Sequence, residues 1–194
     1  MQPHAEFVHW MFAIGVLLLG LCLLAEAIVG SEVWRMRPWR PYLWPSLAFG
    51  MGLGMWPVMA LYTNSAIHTL AHGAWAQTMM LAGAAELGLA RGKLRSPYWR
   101  LCTALALFVS GWAFLLHERN PWLFQRSAFL HHTLGWTLVI GTLFALARAV
   151  RPRALVGNAG FALVFVVVAA MLLSDRDLAP IFGHLSALAG TPHR

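Results

Sequence analysis

Apolar residues run along this chain in six blocks, each closed by a short polar or basic stretch. The blocks cover about residues 7–29, 43–62, 67–90, 99–116, 128–147 and 154–173. Each approaches or reaches the roughly 20 residues that a helix needs to cross a bilayer. The pattern predicts an all-α fold: one polytopic transmembrane bundle of about six helices over residues 1–174, then a short tail, 175–194. Residues 177–190 are too short to span, carry Pro180 and His184, and are expected to lie along the surface or fold back over the bundle. The first block ends near Ala25-Glu26-Ala27, which resembles a small-residue cleavage site. Residues 1–6, however, hold no Lys or Arg, and the apolar stretch is long for a signal peptide, so it is read as a retained helix.

The second block holds Gly50, Gly52 and Gly54 between Pro45 and Pro57. Gly50 and Gly54 form a small-xxx-small pair expected to admit a neighbouring helix, within one chain or between two copies. Pro57 is expected to kink the helix.

The basic residues alternate from loop to loop. Arg35, Arg37 and Arg40 follow the first block, Arg91, Lys93, Arg95 and Arg100 the third, and Arg148, Arg151 and Arg153 the fifth. Residues 63–66 carry no charge, and the loop after the fourth block holds Arg119 and Arg126 beside Glu118. The positive-inside rule then puts the arginine-rich loops in the cytoplasm and both termini outside, as in a bacterial inner membrane protein with periplasmic termini.

Composition agrees. The chain of 194 residues is 59% hydrophobic and 11% charged, with a mean hydropathy of +0.64, where a soluble domain carries roughly a quarter charged residues. Its 10 Trp suit interfacial belts. The formal charge of +7 sits in loops that set orientation, so nucleic acid is not an expected partner; the bilayer is. Cys22 and Cys102 both fall inside apolar blocks and read as buried thiols.

This topology rests on the apolar blocks and basic loops alone, yet all 9 His fall on its non-cytoplasmic side. His4 and His9 open the first helix, His68 and His72 the third, and His131 and His132 the fifth; His117 closes the fourth, and His184 and His193 follow the sixth. Ionisable groups in a membrane segment usually mark a site or pathway, and imidazole is the commonest protein metal ligand. His9, His72 and one of His131 and His132 lie about a turn inside their helices and could meet in one layer. His131 and His132 project about 100° apart, so one of the two is expected to face inward. His68 and His117 lie nearer the surface, as ligands or as partners of ligands. His68 and His72 share a helix face with Trp75, Met79 and Gly83, and Glu86 follows roughly 21 Å deeper. Glu86 and Glu118 are candidate ligand supports or steps of an ion path; Glu26 lies off the His9 face. His4, His184 and His193 read as interfacial polar groups, and the Met residues as packing.

Two cofactors suit such a layer. The favoured one is a metal ion, copper first, with zinc or iron as alternatives, held by His9, His68, His72, His117, His131 and His132. The other is a single haem b. Two stacked haems would need His in the cytoplasmic half, which has none. The His68-x-x-x-His72 and His131-His132 spacings look superficially like the boxes of membrane di-iron enzymes, but those boxes are incomplete here and lie on the other side. Any electron donor would be a separate redox partner or membrane subunit, and a homo-oligomer is a further expectation.

The series His9, Gly15 and Gly20, then His68, His72, Gly83 and Glu86, then His117-Glu118-Arg119-Asn120-Pro121 leading into His131-His132, resembles the transmembrane protein 45 family and its bacterial and fungal relatives. The similarity spans about residues 9–136. The resemblance implies a multi-helix membrane protein with outer-leaflet histidines and names no substrate; that family usually has seven helices, against six and a tail here. The segments EFVHW and LAHGAW also resemble, more weakly, small b-type membrane cytochromes. The expected function is metal handling or metal-dependent redox chemistry, with haem electron transfer or a non-catalytic subunit as alternatives.

Overall fold

The computed structural model describes residues 5–62, 66–117 and 125–175. It holds seven α-helices and, among the described residues, no strand. They are α1 Ala5–Val29, α2 Ser31–Arg35, α3 Leu43–Tyr62, α4 Ala66–Ala90, α5 Leu101–His117, α6 Gln125–Val150 and α7 Leu155–Leu173. The six long ones are the six apolar blocks; α2 is a single turn that buries Trp34.

Four of the long helices are apolar enough along their length to cross a membrane: those over Glu6–Val29, Pro97–Leu116, Ala128–Val150 and Leu155–Leu173. Helices α3 and α4 are as long, but glycine, proline and tryptophan dilute the first and His68, His72, Gln77 and Glu86 the second. The six long helices close a ring in the order α1, α3, α4, α5, α6, α7 and back to α1. Chain neighbours therefore pack side by side, and α7 closes on α1.

One core fills the ring, with Leu19 from α1, Ala48 from α3, Met79 from α4, Leu107 from α5, Leu134 from α6 and Phe161 from α7. The outward stripe is apolar too: Phe7, Met11, Ile14, Leu18, Leu21 and Ile28 recur at helical spacing along the exposed side of α1. A water-facing helix would be polar on that side. With apolar residues both inside and out, the chain is a multi-pass membrane protein surrounded by lipid.

Helix α4 stops where Gly92 adopts a left-handed φ of 68°. The Lys93 and Leu94 amides then turn back to the Gly88 carbonyl, at 2.9 and 3.1 Å, a C-terminal cap of the kind that glycine permits. Helix α3 continues through Pro57 to Tyr62. The expected packing glycines Gly50 and Gly54 have open space where a Cβ would stand; the close approach to α4 within the chain is at Gly52, where a Cβ would stand 2.5 Å from the Ala76 carbonyl. Gly52 lies two positions from Gly50 and from Gly54, about 200° round the helix, so within one chain α4 packs on the face opposite that pair.

Candidate functional site

Polar groups gather in two layers, one at each end of the ring. The histidine end is built from the starts of α1, α4 and α6, the end of α5 and Asp175, two residues past the end of α7. His9 Nδ1 lies 2.6 Å from Asp175 Oδ2. An ionised carboxylate only accepts, so the imidazole nitrogen is the donor. The Asp175 side chain is only 2% exposed, and a carboxylate that deep requires such a partner. Trp10 Nε1–H donates to the Asp175 carbonyl at 3.2 Å and holds the backbone in place.

The His131 ring stands 6.1 Å from that of His9, nearly edge-on. Phe114 of α5 lies 5.7 Å from His131 and 6.4 Å from His72. Three histidines from three helices thus share one layer, with Phe114 between His72 and His131. His72 and His131 are both buried. His132 is exposed, on the outward stripe with Phe129 and Trp136; of the adjacent pair it is His131 that enters the ring.

His68 lies in α4 one turn before His72, and His117 is the last residue of α5. Glu118, His4, His184 and His193 lie outside the described residues. Among the described residues, no three His, Cys, Asp or Glu side chains are disposed to hold a metal ion.

The arginine end is a second polar layer. Glu86, buried as the inward face of α4 requires, accepts from Arg148 Nη1 at 3.2 Å and from the Thr103 hydroxyl at 3.3 Å. The Arg148 guanidinium lies over the rings of Trp44 and Phe161, 5.0 and 5.3 Å from their centroids. Glu26 and Glu86, the two acidic residues of the apolar blocks, line one cavity at this end together with Arg148.

Two residues of these layers escaped the sequence reading. Asp175 stood as the first residue of the tail, with no signal that it would fold back onto His9. The fifth apolar block stops at Ala147 and leaves Arg148 among the loop charges; the helix runs on to Val150 and carries Arg148 inside. An arginine directly after an apolar run, with a glutamate near the end of another, was the available hint of a pair.

The ring and its two polar ends define a polytopic α-helical membrane protein with a histidine layer. No family model, curated protein or solved structure matches the chain.

Proposed function

We propose that the chain is a membrane metal-binding protein whose histidine layer holds a transition metal, copper favoured, for metal handling or metal-dependent redox chemistry. The observation that carries this reading is the hydrogen bond from His9 Nδ1 to buried Asp175. A ligating imidazole commonly gives its other N–H to a carboxylate, which fixes the tautomer and raises the basicity of the ligating nitrogen. Here the bond turns His9 Nε2 away from Asp175, in a layer that also holds the buried His131 and His72. The remaining ligands would come from these residues and from His68 and His117. Imidazole donors suit copper, zinc and iron alike, and the order of intrinsic affinities puts copper first.

In this reading the opposite, arginine-rich end faces the cytoplasm of a bacterial inner membrane, as the positive-inside rule supports, and metal would enter from the periplasmic side. The test is metal content by mass spectrometry, with an absorption spectrum, on protein purified in mild detergent without chelators. Stoichiometric metal without a Soret band, lost in His131→Ala, is the expected result. A Soret band would replace the reading with a single-haem protein. Neither signal, after incubation with copper, zinc, iron and haem, would overturn it.

A further inference from the structure

The arginine end holds a cavity of about 510 Å³, within the roughly 300–1,000 Å³ common for small-ligand sites. Four arginines, Arg35, Arg95, Arg100 and Arg148, line it against two glutamates, Glu26 and Glu86. Arg148 and Glu86 satisfy one another. Arg35 and Arg100 have no ion pair among the described residues. Arg100 is half-buried in the turn just before α5, and Arg35 closes α2 on the exposed rim. The walls at this level include Trp44, Tyr42 and the prolines Pro38, Pro41 and Pro97, which limit how far the rim can collapse.

We propose that this cavity binds a phosphate group whose substituent carries a hydroxyl or amine. Guanidinium groups form forked bonds to phosphate oxygens, and Arg35 and Arg100 supply that charge. Glu26 is the acceptor for the donor on the substituent. A purely anionic ligand would have no use for Glu26, and a cation would meet an excess of arginine. The cavity lies where the ends of α1, α4 and α6 meet the starts of α3 and α5, the depth at which lipid headgroups sit. The phosphate could belong to a lipid headgroup such as phosphatidylglycerol or to a soluble phosphate ester such as glycerol 3-phosphate.

The test compares the wild-type protein with Arg35→Gln/Arg100→Gln, and with Arg91→Gln/Arg151→Gln as a control for the general attraction between basic loops and anionic lipid. Native mass spectrometry after delipidation reads retention of phosphatidylglycerol against phosphatidylcholine, and calorimetry in detergent reads binding of glycerol 3-phosphate. The expected result is a loss of affinity of about ten-fold or more for one probe in the cavity variant, with a smaller change in the loop control. Loss for phosphatidylglycerol identifies a lipid site, and loss for glycerol 3-phosphate a soluble ligand. Equal loss in both variants, or no binding of either probe by the wild-type protein, overturns the proposal. Should the double variant not fold, Arg35→Gln alone carries the comparison, because Arg35 is exposed and has no ion pair among the described residues.

Discussion

Replacing Glu86 with alanine should destabilise the bundle by leaving the Arg148 guanidinium buried without its carboxylate. Arg148 is 9% exposed and its guanidinium faces Glu86 at 3.2 Å, with aromatic rings on its other sides. Removing one partner of such a buried pair costs roughly 3–5 kcal/mol, because a charge is left without compensation. The ring faces of Trp44 and Phe161 remain, and Glu26 lines the same cavity, which places the expected loss at the lower end, about 3 kcal/mol. For a chain of this size each kcal/mol moves Tm by roughly 2–4 °C, so Glu86→Ala should unfold about 6–12 °C earlier. Glu86→Gln keeps an acceptor for Thr103 and Arg148 and should lose less, about 1–2 kcal/mol.

Tryptophan fluorescence during heating in mild detergent reads the transition, with size exclusion to confirm that each variant is monodisperse before heating. The pair Glu86→Ala/Arg148→Met separates the mechanism from a generic packing defect. When the orphaned charge is the cause, removing it as well recovers part of the loss and the double variant is more stable than the sum of its singles. Unchanged Tm in Glu86→Ala, or strict additivity in the double variant, would refute the reasoning.

Other variants probe the remaining structure. A Cβ at Gly83 would stand 2.7 Å from the Pro45 carbonyl and the Phe49 amide, so Gly83→Ala should cost about 1–3 kcal/mol in Tm measurements, whereas Gly50→Ala, with open space, should be neutral or slightly stabilising. His131→Ala should abolish metal retention in the mass-spectrometric assay and His132→Ala should leave it intact, because only His131 enters the ring. Asp175→Asn should weaken metal retention by roughly 10- to 100-fold while the helical circular dichroism spectrum stays unchanged. In intact cells of a bacterial host, an impermeant thiol reagent should leave Arg151→Cys unlabelled until the membrane is opened, with a Cys22→Ser/Cys102→Ser background as the reference; labelling from outside would invert the orientation.

Helix number and length were legible because lipid solvation writes them as long apolar runs; for five of the six blocks both ends lie within two residues of the helix ends. The fifth block fell short at its C-terminal end because an arginine normally ends a membrane run, whereas Arg148 is accommodated by Glu86 and two aromatic rings. Facing was less legible. With lipid outside and apolar core inside, a helix carries little contrast between its faces, so Gly50 and Gly54 could not be told from Gly52. Polar residues restored the contrast where they occurred: of the face expected to carry His68, His72, Trp75, Met79, Gly83 and Glu86, His72, Met79, Gly83 and Glu86 are buried and Trp75 is half-buried. What no local pattern encodes is the return of a distant segment, which is why the partnership of His9 with Asp175 appeared only in three dimensions.

The spacing of the two polar layers bears on what the molecule can do. Between them the six long helices carry no Asp, Glu, Lys or Arg. The interior at that depth is built from Leu19, Met79, Leu107, Leu134 and Leu138, and the Thr78 hydroxyl donates to the Trp75 carbonyl at 3.0 Å and accepts from the Ser110 hydroxyl at 3.0 Å. Glu86, which stood as a step of an ion path, is held by Arg148 and Thr103 at the far end of α4. A charge travelling from His72 toward Glu86 would leave one polar layer and cross packed aliphatic side chains before reaching the next, at the full cost of desolvation. The fold therefore favours separate chemistry at its two ends over conduction between them. A metal bound by the histidines would exchange with the side on which they lie, and the arginine cavity would take its ligand from the other.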